Sequence, residues 1–483
     1  MCRPTPNHAM VAAASSCQHL VSPAALPRIP GALSVLSYNI LLPNSQDGWW
    51  TYKMYFPPLS NDQSIFSSWD YRKSLLQERI GLIDADVVCL QEVSPLSFEN
   101  DFAFMTDDLG YDGVELFKKG RFRPATFWKK DRVALVDTPQ HKDRTLLTTF
   151  CLVDERTEVT NKDYWHVLNC HLQAGKQGGR RVRQIIEGTT AALKAARKHR
   201  LNGDTPENLK LIVCGDFNGG EECGAVQYLE KGSIGPDFLE DGDQVSSKIK
   251  VLPFPPLSDV FSADCIDRGG VPPPATLVVP ELISHLIQRG TVESAYEEPT
   301  FSEGVLDRLR KIYSKFATFC ITESSSDQLP QMYMGKDDVE RWLTIINLRV
   351  GRGTEFRTAA KYMGWVEPKD PPVESKKNSN IEHPPIHIPV GGFLSVDDFI
   401  GVYLDELRQG KFWGIAWDLA ALGEPLPVRD VFRARYDRMY ASQSLTPAAV
   451  LDTLSVNACP NQKEPSDHLP ICASFLPRIE SSE

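Results

Sequence analysis

The sequence predicts an α/β or α+β fold with large sheets, interrupted by an all-helical insertion. Three observations carry this. Short apolar runs alternate with segments of helical spacing from Gly31 onward, a block of four helix-like segments follows residue 300, and strand texture returns after residue 430. A chain of 483 residues with 42% hydrophobic content can bury a core of that size.

Taken in order, residues 1–30 are rich in Ala, Ser and Pro and lack Asp and Glu, the composition of a disordered leader or a transit segment. ALSVLSYNIL (32–41) reads as a strand ending at Asn39, YRKSLLQERIGLIDA (71–85) as a helix, and DVVCLQEV (86–93) as a buried strand ending at Glu92. Three more strands are expected in PATFWKKDRVALVD (124–137), WHVLNCHL (165–172) and LKLIVCGDFN (209–218). GRRVRQIIEGTTAALKAARKHR (179–200) is an amphipathic helix with Ile185, Ile186, Thr189, Leu193 and Ala196 on one face. The helical block comprises 301–321, 337–350, 353–366 and 395–407, split by the Pro-, Lys- and Asn-rich stretch 367–385; ARYDRMYAS (434–442) and HLPICASFLP (468–477) close the chain as strands. The expected domains are a first part at 31–300, a helical insertion at 301–428 and a closing part at 429–478.

A net charge of -11 argues against coating nucleic acid or anionic membrane by bulk charge, so a polyanion site must be local. Eleven cysteines without a C-x-x-C pair point to buried thiols in a reducing compartment, cytoplasmic or nuclear, or an organelle if residues 1–30 are a transit peptide. No apolar stretch reaches membrane-spanning length, so no membrane partner is expected.

The chemistry lies at the ends of the apolar runs, where Asn39, Glu92, Asn169 with His171, Asp216 with Asn218, Asp437, and Asp467 with His468 each follow or close a strand. An Asn after one strand is a turn former. Six such placements in one chain are not loop chemistry. Hydrolysis of a phosphate ester needs a divalent cation, groups that orient water and a residue that handles protons. Mg2+, or Mn2+ in its place, takes oxygen ligands, a role that Asn39, Glu92 and Asp467 fit. Asn218 can orient a nucleophile beside Asp216, and the imidazoles can stabilise phosphate oxygens.

LSYNIL, DVVCLQEV, NCHL, GDFN, RYDRMY and PSDHLP, in that order, resemble the endonuclease/exonuclease/phosphatase superfamily. The stretches SWDYRKSLLQERIGLIDADVVCLQEV and LGYDGVELFKKG are most similar to its branch of carbon catabolite repression deadenylases, Nocturnin and Angel proteins. The resemblance implies two packed β-sheets flanked by helices, a four-layer sandwich. It also implies that Glu92 and Asn39 bind Mg2+ with Asp467 assisting, and that Asp216 orients or activates water. Asn218 and His171 would contact the phosphate, and Asp437 would orient His468. Arg181 and Gln184 keep the branch's Arg-x-x-Gln spacing and, with Asn169, are the candidate substrate-binding residues, although QAGKQGGRRVRQ (173–184) replaces the branch's Pro-containing loop. Lys118, Lys119, Arg121, Arg123, Lys176, Arg180, Arg181 and Arg183 are either a polyanion channel or a solvated face, and Trp49, Trp50 and Tyr52 either stack on a base or pack a loop.

Within the helical block, 327–338 resembles an EF-hand loop and 391–403 the second half of another, with Asp327, Asp338 and Asp398 as candidate Ca2+ ligands. His387, Pro389 and Gly391 stand where one loop needs carboxylates, and Leu329 and Gln331 where the other does, so both look degenerate and a packing or partner-docking role is expected. The sequence thus predicts a Mg2+-dependent phosphodiesterase, a deadenylase-like 3′-5′ exoribonuclease acting on RNA. The alternatives are a phosphatase acting on a small phosphorylated molecule, and a calcium-responsive adaptor that uses the fold as a scaffold.

Overall fold

The computed structural model describes residues 17–478 apart from 47, 59–63, 117–119, 121, 154–163, 200–207, 268–269, 289–298, 322–330 and 367–385. Two compact units emerge. The first takes the described residues of Met1–Trp49, Ser68–Val278 and Arg433–Glu483; the second takes Trp50–Ser67 and Val279–Phe432. The helical insertion therefore runs wider than the expected 301–428, and it includes Trp50–Ser67, which the sequence reading left in the first domain.

In the first unit two seven-stranded sheets form. One has the order β1 (Gln18–Val21), β13 (Leu445–Asp452), β14 (Ile471–Pro477), β2 (Leu33–Asn39), β3 (Val87–Val93), β5 (Arg123–Trp128) and β4 (Gly113–Leu116). The other runs β11 (Ser258–Asp259), β12 (Asp437–Ala441), β10 (Lys210–Asp216), β9 (Trp165–His171), β8 (Thr145–Leu152) and β6 (Val133–Leu135), with β7 (Gln140–Lys142) paired to β8. Residues 1–16 of the segment expected to be a disordered leader or transit segment lie outside the described residues; within its remainder β1 pairs in parallel with β13, and His19 Nε2 lies 2.8 Å from Asp452 Oδ2.

Successive side chains on a strand point to opposite faces, so a strand covered on both sides must be apolar throughout. Val35, Val87 and Cys89 pack inward against Val167, Ile212, Cys214 and Met439 of the facing sheet. Their neighbours Leu36, Val88 and Leu90 pack outward against Leu76, Ile80 and Ile83 of helix α1 (Trp69–Ile83). On the other outer face, Leu168, Leu211 and Val213 meet α2 (Gly178–Lys198) and α3 (Gly224–Lys231). The result is the expected four layers. α1 begins at Ser68, whose side chain accepts from the Tyr71 amide, and stops at Asp84 in the left-handed region at φ 54°.

The second unit has its own core. Helices α4 (Glu303–Phe316), α5 (Lys336–Asn347), α6 (Gly353–Tyr362), α7 (Val396–Arg408) and α8 (Phe412–Ala421) enclose Trp342, Phe399, Tyr403, Ile415 and Leu419. Lys53, buried, lies 2.8 Å from Asp418 and 3.3 Å from Glu355, tying its segment to α6 and α8. Met334 and Leu394 exchange backbone hydrogen bonds of 3.1 and 2.9 Å, joining the segments that precede α5 and α7. Asp338 and Asp398 sit in the first turns of α5 and α7. Each carboxylate accepts from the backbone N–H that opens its helix, Gly335 at 3.2 Å and Ser395 at 3.0 Å, and takes a hydroxyl donor as well. This replaces the calcium role anticipated for them with helix capping; Asp327 lies outside the described residues.

Two outcomes follow. Ca2+ at micromolar to millimolar concentration is expected to leave the melting temperature unchanged, and a saturable upward shift would contradict the capping assignment. Secondly, burial holds His166, which lies 3.0 Å from Thr149 Oγ1, at a pKa of about 4. The unfolded chain therefore binds one more proton than the native state between pH 6.5 and 4, so this contribution is complete above 6.5 and is lost on acidification. His166→Gln should flatten the stability profile in that window by about one proton, as measured by urea denaturation across pH.

Candidate active site

Strand register assembles the site. Asp216 pairs with His171 on β9 and with Asp437 on β12, so three adjacent strands end in a row of polar side chains. From the facing sheet, β2 delivers Asn39 opposite Gln91, and Glu92 follows at φ 63°, where the β3–β5 pairing slips register. Gly215 permits the row: its φ is 134°, and a Cβ there would lie 1.9 Å from the Cys170 carbonyl oxygen.

Asn39 Nδ2 donates to Asp216 Oδ2 at 2.9 Å and reaches Glu92 Oε1 at 3.5 Å. Asp216 also accepts from the backbone and side chain of Asn218, at 2.7 and 3.1 Å. The Phe122 carbonyl can only accept, so His171 carries its proton on Nδ1, 2.9 Å away. Its Nε2 then faces Glu92 and Asp216, each at 3.8 Å. His468 Nδ1 is 2.6 Å from Asp437 Oδ2, and its Nε2 points at Asp216, 4.0 Å away.

Burial opposes charge on His468, but Asp437, Asp467 and Asp216 overcome it and hold the imidazole well above its usual pKa. Burial raises Asp216, with His468 acting against it. Asp467 is pushed up to about 6, first by burial, with His468 opposing and Glu92 adding. Four carboxylates thus crowd two imidazoles, and Asp437 Oδ1 is buried without a hydrogen-bond partner among the described residues. Ligand atoms of Asp216, Asp437 and His468 lie within 4.8 Å of one another, a spacing that can hold a metal ion. An oxygen-rich cluster with surplus negative charge suits a hard divalent cation.

A family model described as the Endonuclease/Exonuclease/phosphatase family matches residues 36–468, a span that opens within β2 and closes on His468. The chain belongs to this family. It is 27% identical over 299 residues to the CCR4-Not complex 3'-5'-exoribonuclease subunit Ccr4 of Candida albicans, covering 50% of this chain and 36% of that protein. It is 28% identical over 201 residues to human 2',5'-phosphodiesterase 12, covering 36% of this chain and 32% of the relative. The chain thus spans about a third of the length of the curated relatives it matches. The crystal structure of ANGEL2, a 2',3'-cyclic phosphatase, in complex with adenosine-2',3'-vanadate aligns at a TM-score of 0.43 and 16% identity over 93% of this chain and 97% of that one.

Within this family member, three residues anticipated to touch substrate instead serve the scaffold. Asn169, fully buried, accepts from Gln91 Nε2 at 2.9 Å and donates to the Leu90 and Ala125 carbonyls, tying the two sheets together. Arg181 pairs with Glu240 and donates to the Gln173 and Gly175 carbonyls at 2.7 and 2.6 Å. Gln184 accepts from the Gln173 amide at 2.9 Å and donates to Asp143 at 2.7 Å. Arg181 and Gln184 hold the 173–175 loop. Lys118, Lys119 and Arg121 lie outside the described residues.

Other supporting residues escaped the sequence reading. Arg72, fully buried on α1, donates to the carbonyls of Ile40, Leu41 and Leu42, which follow Asn39, and to Pro465, which precedes Asp467. The Thr276 hydroxyl accepts from the amides of Tyr436 and Asp437 at 3.0 and 2.8 Å. Ser466 Oγ donates to the Asn39 carbonyl at 2.7 Å and accepts from the His468 amide at 3.2 Å. A helical Arg inside an apolar stripe was the one available signal. If Arg181 is scaffold, Arg181→Met strands buried Glu240 and costs roughly 3–5 kcal/mol of stability in denaturant titrations. Unchanged stability with a raised KM would restore the substrate-binding role.

Proposed function

We propose that the protein is a Mg2+-dependent phosphodiesterase, a deadenylase-like 3′-5′ exoribonuclease acting on RNA. The carrying observation is the buried Asp437–His468 pair, at 2.6 Å, aimed at Asp216 beside Glu92 and Asn39. Family membership and the likeness to Ccr4 support the substrate class.

In this reading Glu92, Asn39 and Asp467 would hold the cation, which when bound would supply charge to polarise the phosphate oxygens. Asp437 keeps His468 protonated and fixes its ring, so a cationic Nε2–H is presented to the phosphate. Asp216, fixed by Asn39 and Asn218, orients the water and accepts its proton. Phe122 fixes the tautomer of His171, whose Nε2 serves the phosphate or the carboxylates around it.

Purified protein with Mg2+ should shorten RNA labelled at its 5′ end to a ladder receding from the 3′ end. Chelation should abolish the reaction, and Asp437→Asn and His468→Ala should each lower kcat by about 10²–10⁴ without unfolding the protein. Wild-type turnover in either variant, or hydrolysis confined to small phosphomonoesters, would contradict the proposal.

A further inference from the structure

Beside the carboxylate cluster stands a group of three guanidiniums. His171 is held from both flanks by backbone: its amide donates to the Arg144 carbonyl at 3.0 Å and its Nδ1 to the Phe122 carbonyl at 2.9 Å. The backbone of Arg144, in the β7–β8 turn, and that of Phe122, next to Arg123 at the start of β5, thus flank a candidate catalytic imidazole. Arg180, on the first turn of α2, completes the group.

One acidic side chain is shared among them, and it is already engaged. Asp143 takes Gln184 Nε2 at 2.7 Å, Arg180 reaches it only at 3.4 Å, and Arg123 donates to its backbone carbonyl at 3.0 Å. The half-buried guanidinium of Arg144 makes no hydrogen bond or ion pair with any described residue. Burial lowers its pKa, and the charges of Arg123 and Arg180 lower it further against the pull of Asp143 and Glu92. A partly desolvated guanidinium without a partner, repelled by two others, is complementary to an anion.

We propose that Arg144, aided by Arg123 and Arg180, binds a second phosphate of the substrate, that of the nucleotide adjoining the scissile linkage of an oligonucleotide. The proposal rests on the phosphodiesterase reading above and extends it: the enzyme selects substrates by a flanking phosphate as well as by the bond it cleaves. Arg144 is a specificity residue and takes no part in bond making or breaking.

The test compares two RNA dinucleotides with Mg2+, one carrying a 5′-phosphate and one ending in a 5′-hydroxyl, on wild type, Arg144→Gln and Arg144→Lys. Wild type should favour the phosphorylated dinucleotide by about tenfold or more in kcat/KM, mainly through KM. Arg144→Gln should bring that ratio close to one while leaving the 5′-hydroxyl dinucleotide and the melting temperature unchanged; Arg144→Lys should retain part of it. On longer RNA, the slope of log KM against log salt should fall by about 0.7 in Arg144→Gln, the loss of one phosphate contact on a single strand. Equal wild-type rates on the two dinucleotides, or equal losses on both in Arg144→Gln, overturn the second subsite alone. Wild type that cleaves neither dinucleotide overturns the phosphodiesterase reading, and this proposal falls with it.

Discussion

Mutual repulsion among Glu92, Asp216, Asp437 and Asp467 is the constraint that the rest of the site answers. Carboxylates confined in a buried cluster must be neutralised by protons, by cations or by hydrogen-bond donors. The chain supplies donors to Asp216 from Asn39 and Asn218, and a cationic imidazole to Asp437. Asp437 Oδ1 is left without a partner among the described residues, and burial still holds Asp216 and Asp467 above the ordinary carboxylate range. The remaining imbalance is what a divalent cation would relieve.

Holding such a cluster together is work for the two sheets and the polar residues behind them. Register places His171, Asp216 and Asp437 in one row, so a slip of one residue on any of three strands would turn a member toward the opposite face. Arg72, Thr276 and Ser466 then fasten the connections that no strand pairing reaches, joining the turn after Asn39 to the segment before His468 and holding the start of β12. These bonds are local in space, and those to Pro465, Asn39 and Asp437 span 393, 427 and 161 positions in sequence, which is why the fold must be complete before the site exists.

That distinction also explains what could be read from the sequence. Strand-ending polar residues were legible because each sits at the close of an apolar run, and their shared end of the sandwich follows from the topology. Asn169 carried the same local signature, and Arg181 and Gln184 the branch's Arg-x-x-Gln spacing, yet their partners Gln91, Glu240 and Asp143 are 78, 59 and 41 positions away, and nothing nearby marks those pairings. The helices of the insertion were visible as texture, whereas the capping use of Asp338 and Asp398 depends on the backbone amides that open α5 and α7. Lys53 reads as one more surface lysine; only the fold buries it between Asp418 and Glu355.

The most direct measurement of the central claim is Mn2+ binding followed by electron paramagnetic resonance, which counts bound ions without relying on turnover. The account predicts bound Mn2+ in the wild type, displaced by Mg2+, and its loss in the doubly substituted Glu92→Gln, Asp467→Asn protein with the fold retained. Undiminished Mn2+ binding in that variant would contradict it.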